Sequence, residues 1–147
     1  MILKRSKTIK IENIFLVLAT VFVLTFMVIQ PINRVPDETN HARMTWEIFH
    51  KPTEKTYKWM ENISAEPHVS PREYKKLFTE KLDLSQEEST LGINLKTLSF
   101  LPQLIGMTLG SFIYPSVGVI IMMGRFFNAI AYILGVYFLI KYFKYGK

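Results

Sequence analysis

The chain has 147 residues, of which 49% are hydrophobic, no cysteine, and a net charge of +6. The missing cysteines exclude a disulfide framework and a thiolate metal site, and no basic patch is interleaved with aromatics in the manner of a nucleic-acid surface. A single soluble core is disfavoured because the apolar residues are segregated: residues 14–32 carry no charge, 97–140 carry only Arg125, and the intervening residues are strongly polar.

Residues 1–13 form a basic tail, with Lys4, Arg5, Lys7 and Lys10 against Glu12. Residues 14–32 then read as a first transmembrane helix. Nineteen residues at about 1.5 Å each give roughly 28 Å, close to the hydrocarbon thickness. Pro31 lies near its exit. The run is longer than a signal-peptide core and no small-x-small site follows it, so an uncleaved anchor is expected.

Residues 33–96 read as an exposed loop carrying amphipathic helices. Asp37 can cap a helix to about His50, stopped by Lys51-Pro52. Ala42, Thr45, Trp46 and Phe49 form a stripe on it, which suits a helix lying on a membrane surface. Asp37 and His41, four apart, share another face with Glu38 between them. Tyr57, Trp59 and Met60 suit the headgroup level, and Asn62-Ile63-Ser64 matches a glycosylation triplet that arises often by chance. Ser70-Pro71-Arg72-Glu73 has capping-box spacing with proline at the first helical position. Tyr74, Leu77, Phe78 and Leu82 supply the apolar face of a helix to about Leu84. Ser85-Gln86-Glu87-Glu88 repeats the spacing more weakly.

Residues 97–115 are apolar but interrupted by Pro102, Gly106 and Gly110, and read as an interfacial or re-entrant helix. A bend at Tyr114-Pro115 leads to a second crossing over 117–140. Arg125 lies inside it, either snorkelling to the headgroups if the crossing starts late, near Met122, or facing a polar cavity. Gly118, Gly124 and Gly135 leave room for a neighbouring helix. Residues 141–147 form a second basic tail. The loop carries ten Lys and Arg against eleven Asp and Glu, so the positive charge flanks the outer ends of the apolar regions. By the positive-inside rule both termini are expected in the cytoplasm and the loop outside a cell membrane.

Asp37, Glu38 and His41 are the grouping with the most chemistry. A carboxylate at the membrane face can take a proton from an acceptor hydroxyl. Glu38 and His41 can orient that base or hold a divalent cation such as Mg²⁺ or Mn²⁺ on a lipid phosphate, although three ligands do not specify a metal. His50 and His68 show no metal-ligand spacing and read as surface residues. Arg43 can pair with Glu47 one helical turn on.

Pro36-Asp37-Glu38-Thr39-Asn40-His41-Ala42-Arg43, placed just after a first apolar helix, resembles the opening of a bacterial multi-pass membrane family known as domain of unknown function 2142. Leu101-Pro102-Gln103-Leu104-Ile105-Gly106 and Gly124-Arg125-Phe126-Phe127-Asn128 are similar to that family's later segments. The resemblance implies a membrane glycosyltransferase of the GT-C type, in which an acidic residue of the first external loop acts beside a polyprenyl-phosphate sugar donor. It makes Asp37 the base or metal-contacting acid, Glu38 and His41 its helpers, and Arg43 and Arg125 substrate contacts, Arg125 toward donor phosphate. Such enzymes have many more crossings than two. A further membrane chain or a missing C-terminal part is therefore expected, with the chain contributing to cell-envelope polysaccharide synthesis.

The sequence thus predicts an all-α integral membrane protein: two transmembrane helices joined by a mostly helical extracytoplasmic loop, in contact with membrane lipid and not with nucleic acid. The competing reading is a non-catalytic two-pass protein that binds a membrane partner.

Overall fold

The computed structural model describes residues 10–32, 34–51, 53–54, 58–60, 70–85, 87–93 and 95–143. Residues 1–9 and 144–147 of the basic tails, Tyr57, Asn62-Ile63-Ser64, His68 and Gln86 lie outside the described residues. The described chain is helical, with no strand beyond an isolated bridge between His50 and Ser89. Its helices are α1 (Ile11–Ile29), α2 (Glu38–Trp46), α3 (Pro71–Thr79), a 3₁₀ segment (Leu95–Phe100), α4 (Leu101–Ile113) and α5 (Val117–Tyr142).

Two of these, α1 and α5, are long and apolar enough to cross a bilayer. No residue of α1 is buried. The helix stops where proline forces it to: Gln30, before Pro31, leaves the helical region at φ −84°, ψ 111°, as the ring of a following proline requires. The N–H of Gln30 still closes onto the Phe26 carbonyl at 2.9 Å.

α5 has 26 residues, about 39 Å at 1.5 Å each, and its two halves differ. Val117, Gly118, Ile120, Ile121 and Gly124 are buried, whereas beyond Arg125 only Ile133 is. The first two turns belong to a packed core; the remainder presents Phe126, Ile130, Leu134 and Phe138 outward.

That core is built on close backbone approach. Gly106 and Gly110 of α4, four residues apart, face α5. A Cβ at Gly106 would run into the Met123 carbonyl, and one at Gly110 would come within 3.0 Å of the Ile120 Cα. This is the small-xxx-small geometry that lets helices touch through their backbones, here within one chain. Ser116 caps α5 by accepting from the Val119 N–H at 3.4 Å. On α5 itself, Gly118 is covered by the Phe78 ring and Gly124 by Met107 and Gln103, while Gly135 has nothing within 4 Å. The room expected at three glycines for a neighbouring helix is taken at Gly118 by α3 and at Gly124 by α4, and is open at Gly135.

α3 starts with a complete capping box. The Glu73 N–H donates to the Ser70 hydroxyl at 3.3 Å, and the Ser70 N–H donates to the Glu73 carboxylate at 3.0 Å. Its Tyr74, Leu77 and Phe78 pack on the core. The helix ends at Thr79 rather than near Leu84, because the next residues are held elsewhere. Leu82 N–H donates to the Pro115 carbonyl at 2.6 Å, and the Tyr114 hydroxyl donates to the Thr79 carbonyl at 2.7 Å. The weaker capping pattern at Ser85 makes no helix: its hydroxyl donates to Asp83 at 2.6 Å instead. The chain then runs beside residues 48–51, through Lys51 N–H to Glu88, Thr90 N–H to Phe49 and Gly92 N–H to Ile48, each at 2.8–2.9 Å.

The α2 stripe is spent on this core and not on a lipid surface: Ala42, Thr45 and Trp46 are wholly buried. Trp59 and Met60, expected at the headgroups, are buried as well. They join an apolar cluster with Met107, Val117, Ile120 and Ile121, and a buried carboxylate satisfies the two indoles. Glu87, with its side chain 4% exposed, accepts from the Trp46 indole at 2.8 Å and the Trp59 indole at 3.1 Å. His50 is half-buried, stacked on Trp46 at 3.9 Å, and donates from Nδ1 to the Trp46 carbonyl at 3.1 Å.

Candidate functional site

The site forms where α1 ends, α2 begins and α5 leaves the core. Pro31 ends α1, and the chain turns through Val35-Pro36-Asp37 to start α2. Asp37 occupies the position before α2 with φ 60°, the one positive φ at a non-glycine among the described residues. An N-cap carboxylate reaches the first N–H groups from extended backbone. In the left-handed region it does not, and Asp37 makes no side-chain cap. Its exposed side chain has no hydrogen bond or ion pair with described residues. Aspartate tolerates this conformation better than most residues, and such outliers concentrate at functional positions.

The turn brings Glu38 under Arg125. The Arg125 Nε and Nη2 both donate to the Glu38 carboxylate, the second at 2.6 Å. Nη1 donates to the Gln30 carbonyl at 2.8 Å and approaches the Met122 sulfur at 3.9 Å, and Nη2 also donates to the Pro31 carbonyl at 3.0 Å. All five N–H groups of a guanidinium thus have partners inside the chain. The side chains are 14% (Arg125) and 8% (Glu38) exposed. Arg125 therefore caps the carbonyl end of α1, where a cation also complements the helix dipole, and neutralises Glu38.

Beside this pair lies a cavity of about 400 Å³, within the size range of ligand pockets. One wall is the apolar face of α1: Phe22, Val23, Phe26 and Met27. The far end is polar, formed by Glu38 and His41 of α2, Gln103 of α4, and Arg125 and Asn128 of α5. Asn128 Nδ2 donates to the Gln103 carbonyl oxygen at 3.3 Å. Gln103 is 9% exposed, and its amide nitrogen, open to the cavity, has no partner among the described residues. His41 stands edge-on to Phe100, ring centres 5.7 Å apart.

Of the residues singled out in the sequence, Glu38, His41 and Arg125 converge on this cavity, while Asp37 sits beside its mouth and does not line it. Arg43 lies away from it, 3.8 Å from Glu47 on the same helix. Contact between Arg125 and a phosphate requires the guanidinium to give up a present partner. Both Glu38 oxygens already accept from Arg125, so a divalent cation on Glu38 would compete with the guanidinium. Among the described residues no group of three His, Cys, Asp or Glu converges to hold a metal. The amides Gln103 and Asn128 were not singled out as site residues. Their signal was available: uncharged polar side chains in otherwise apolar helices require a partner. Comparison with protein families, curated proteins and solved structures gives no match.

Proposed function

We propose that the chain is a membrane protein contributing a lipid-facing sugar-transfer site, as one part of a GT-C-like glycosyltransferase completed by a further membrane chain or segment. The observation that carries this reading is the amphipathic cavity beside Asp37, Glu38 and His41, at the junction of two helices of bilayer length. On this reading α1 and the part of α5 after Arg125 cross the bilayer. From Arg125 to Tyr142 is about 26 Å at 1.5 Å per residue, similar to the length of α1. Arg125 then marks the boundary between the packed loop domain and the lipid.

The donor is a polyprenyl-phosphate-linked sugar. The Asp37 carboxylate takes the proton of an acceptor hydroxyl as its oxygen bonds to the anomeric carbon. The bond from that carbon to the phosphate oxygen breaks, and the lipid phosphate leaves with the electron pair. Glu38, fixed by Arg125, sets the turn that presents Asp37, and His41 faces the acceptor hydroxyl.

Two experiments test this. The native chain has no cysteine, so Asp37→Cys can be labelled cleanly from either side of the membrane. Labelling from outside only is expected, and labelling from the cytoplasmic side refutes the proposal. Asp37→Asn in cells carrying the partner chain is expected to abolish envelope glycan assembly, whereas unchanged assembly refutes catalysis by this residue.

Gly135 favours a second reading, a non-catalytic protein held to a membrane partner. It lies on the exposed stretch of α5 with nothing within 4 Å, which leaves a place for another helix to approach. On that reading Gly135→Leu abolishes partner co-purification and Asp37→Asn changes nothing.

A further inference from the structure

The charge balance of the cavity selects its ligand. Its one cation and its one carboxylate are Arg125 and Glu38, and they neutralise each other. Every guanidinium N–H is engaged. An anionic head placed here would find no unspent cationic donor and would lie close to the Glu38 carboxylate. What the cavity does offer is neutral hydrogen-bonding capacity: the amide nitrogen of Gln103, the carbonyl oxygen of Asn128 and the His41 ring. These groups cluster at one end, and the α1 wall from Phe22 to Met27 is apolar. A clustered polar end with unspent donors and acceptors favours ligands able to pair with it over those that cannot.

We propose that this cavity binds a single-chain amphiphile with an uncharged, hydroxyl-bearing head. The chain lies along Phe22, Phe26 and Met27, and the head hydroxyls meet Gln103, Asn128 and His41. The proposal rests on the membrane reading above and deepens it: the cavity receives an uncharged, hydroxyl-bearing lipid acceptor, and the phosphate-linked donor is accommodated outside it.

The test uses the purified full-length chain in amphipol, without partner, and native mass spectrometry to count retained ligands. The probes are monoolein and lysophosphatidic acid with the same acyl chain. The expected result is one monoolein per chain, retained at least about fivefold better than the phosphate-headed probe. Gln103→Leu and Asn128→Leu should each lower monoolein retention about fivefold, the order expected for loss of one hydrogen bond. Ala129→Phe, which fills the cavity from α5, should abolish it. Unaltered Trp46 and Trp59 emission verifies that each variant is folded. Equal or stronger retention of lysophosphatidic acid overturns the proposal. So does uptake of several chains that is insensitive to all three substitutions, which marks surface lipid only. The readout needs neither Asp37 nor a partner. Loss of glycan assembly in Asp37→Asn without monoolein binding therefore sinks this inference alone, and the converse sinks only sugar transfer.

Discussion

The Arg125–Glu38 pair makes a prediction with a distinctive energetic signature. Arg125→Leu leaves a carboxylate 8% exposed without its cation and strips two carbonyls from the end of α1. Removing one partner of a buried pair costs about 3–5 kcal/mol. Glu38→Leu is milder, about 2–3 kcal/mol, because Arg125 keeps the Gln30 and Pro31 carbonyls. In the double variant no charge remains, and the residual cost is the two α1 carbonyls, about 1–2 kcal/mol in all. The single costs should therefore far exceed the cost of the double, with a coupling of about 3 kcal/mol or more, as for groups sharing one network. Equilibrium unfolding in mixed micelles, followed by Trp46 and Trp59 emission, measures all four corners of the cycle. Both indoles lie in the core on Glu87, outside the cavity. Additivity within about 0.5 kcal/mol would show that the two side chains do not act as a buried pair, and the account of α1 being tied to α2 and α5 would fail.

Gly106→Ala should destabilise the chain by about 1–3 kcal/mol through overpacking against the Met123 carbonyl, whereas Gly135→Ala should be neutral or slightly stabilising in the isolated chain; the same unfolding assay compares them. Glu87→Ala should cost about 2–4 kcal/mol, since two indole N–H groups lose their acceptor, and Glu87→Gln should cost less by keeping one acceptor oxygen; emission wavelength and midpoint report both. Hydrogen bonds from the Ser70 N–H and hydroxyl hold the Glu73 carboxyl below its ordinary value of 4.5. The depressed value means that its contribution to α3 is complete above about that pH and is lost as pH falls through the folded value. The protection factors of amides in Pro71–Thr79, corrected for intrinsic exchange, should fall in that acid window, and Glu73→Gln should remove that loss of protection.

How much was legible in the sequence varies with the range of the interaction that decides each feature. The capping box of α3 is spelled by Ser70, Pro71 and Glu73 within four residues, and the apolar runs behind α1 and α5 are continuous. Helix α1 ends at Ile29 and not at the expected residue 32, because Pro31 takes the residue before it out of the helical region. The destination of amphipathic faces was not legible in this way. The stripe of Ala42, Thr45 and Trp46 has the same pattern whether it meets lipid or protein, and it is the distant cluster of Met107, Val117, Ile120 and Ile121, with Glu87 accepting from both indoles, that takes Trp46 and Trp59 inward. At the site, Glu38, His41 and Arg125 stand out as ionisable groups beside apolar segments, but their partnership spans 87 residues and no local spacing encodes it.

Taken alone, the order of residues determined helical character, the two bilayer-length apolar segments and the concentration of acid–base groups just past the first of them. These depend on hydrophobicity and backbone propensity summed over neighbours in the chain. Folding in three dimensions decided the rest: that α5 is divided at Arg125 between a packed core and an exposed shaft, that Glu38 and not Asp37 meets the guanidinium, and that Gln103 and Asn128 furnish the polar end of the cavity. Each of these depends on which distant groups share a small volume, and a buried charge or amide is stable only where that volume supplies its partner.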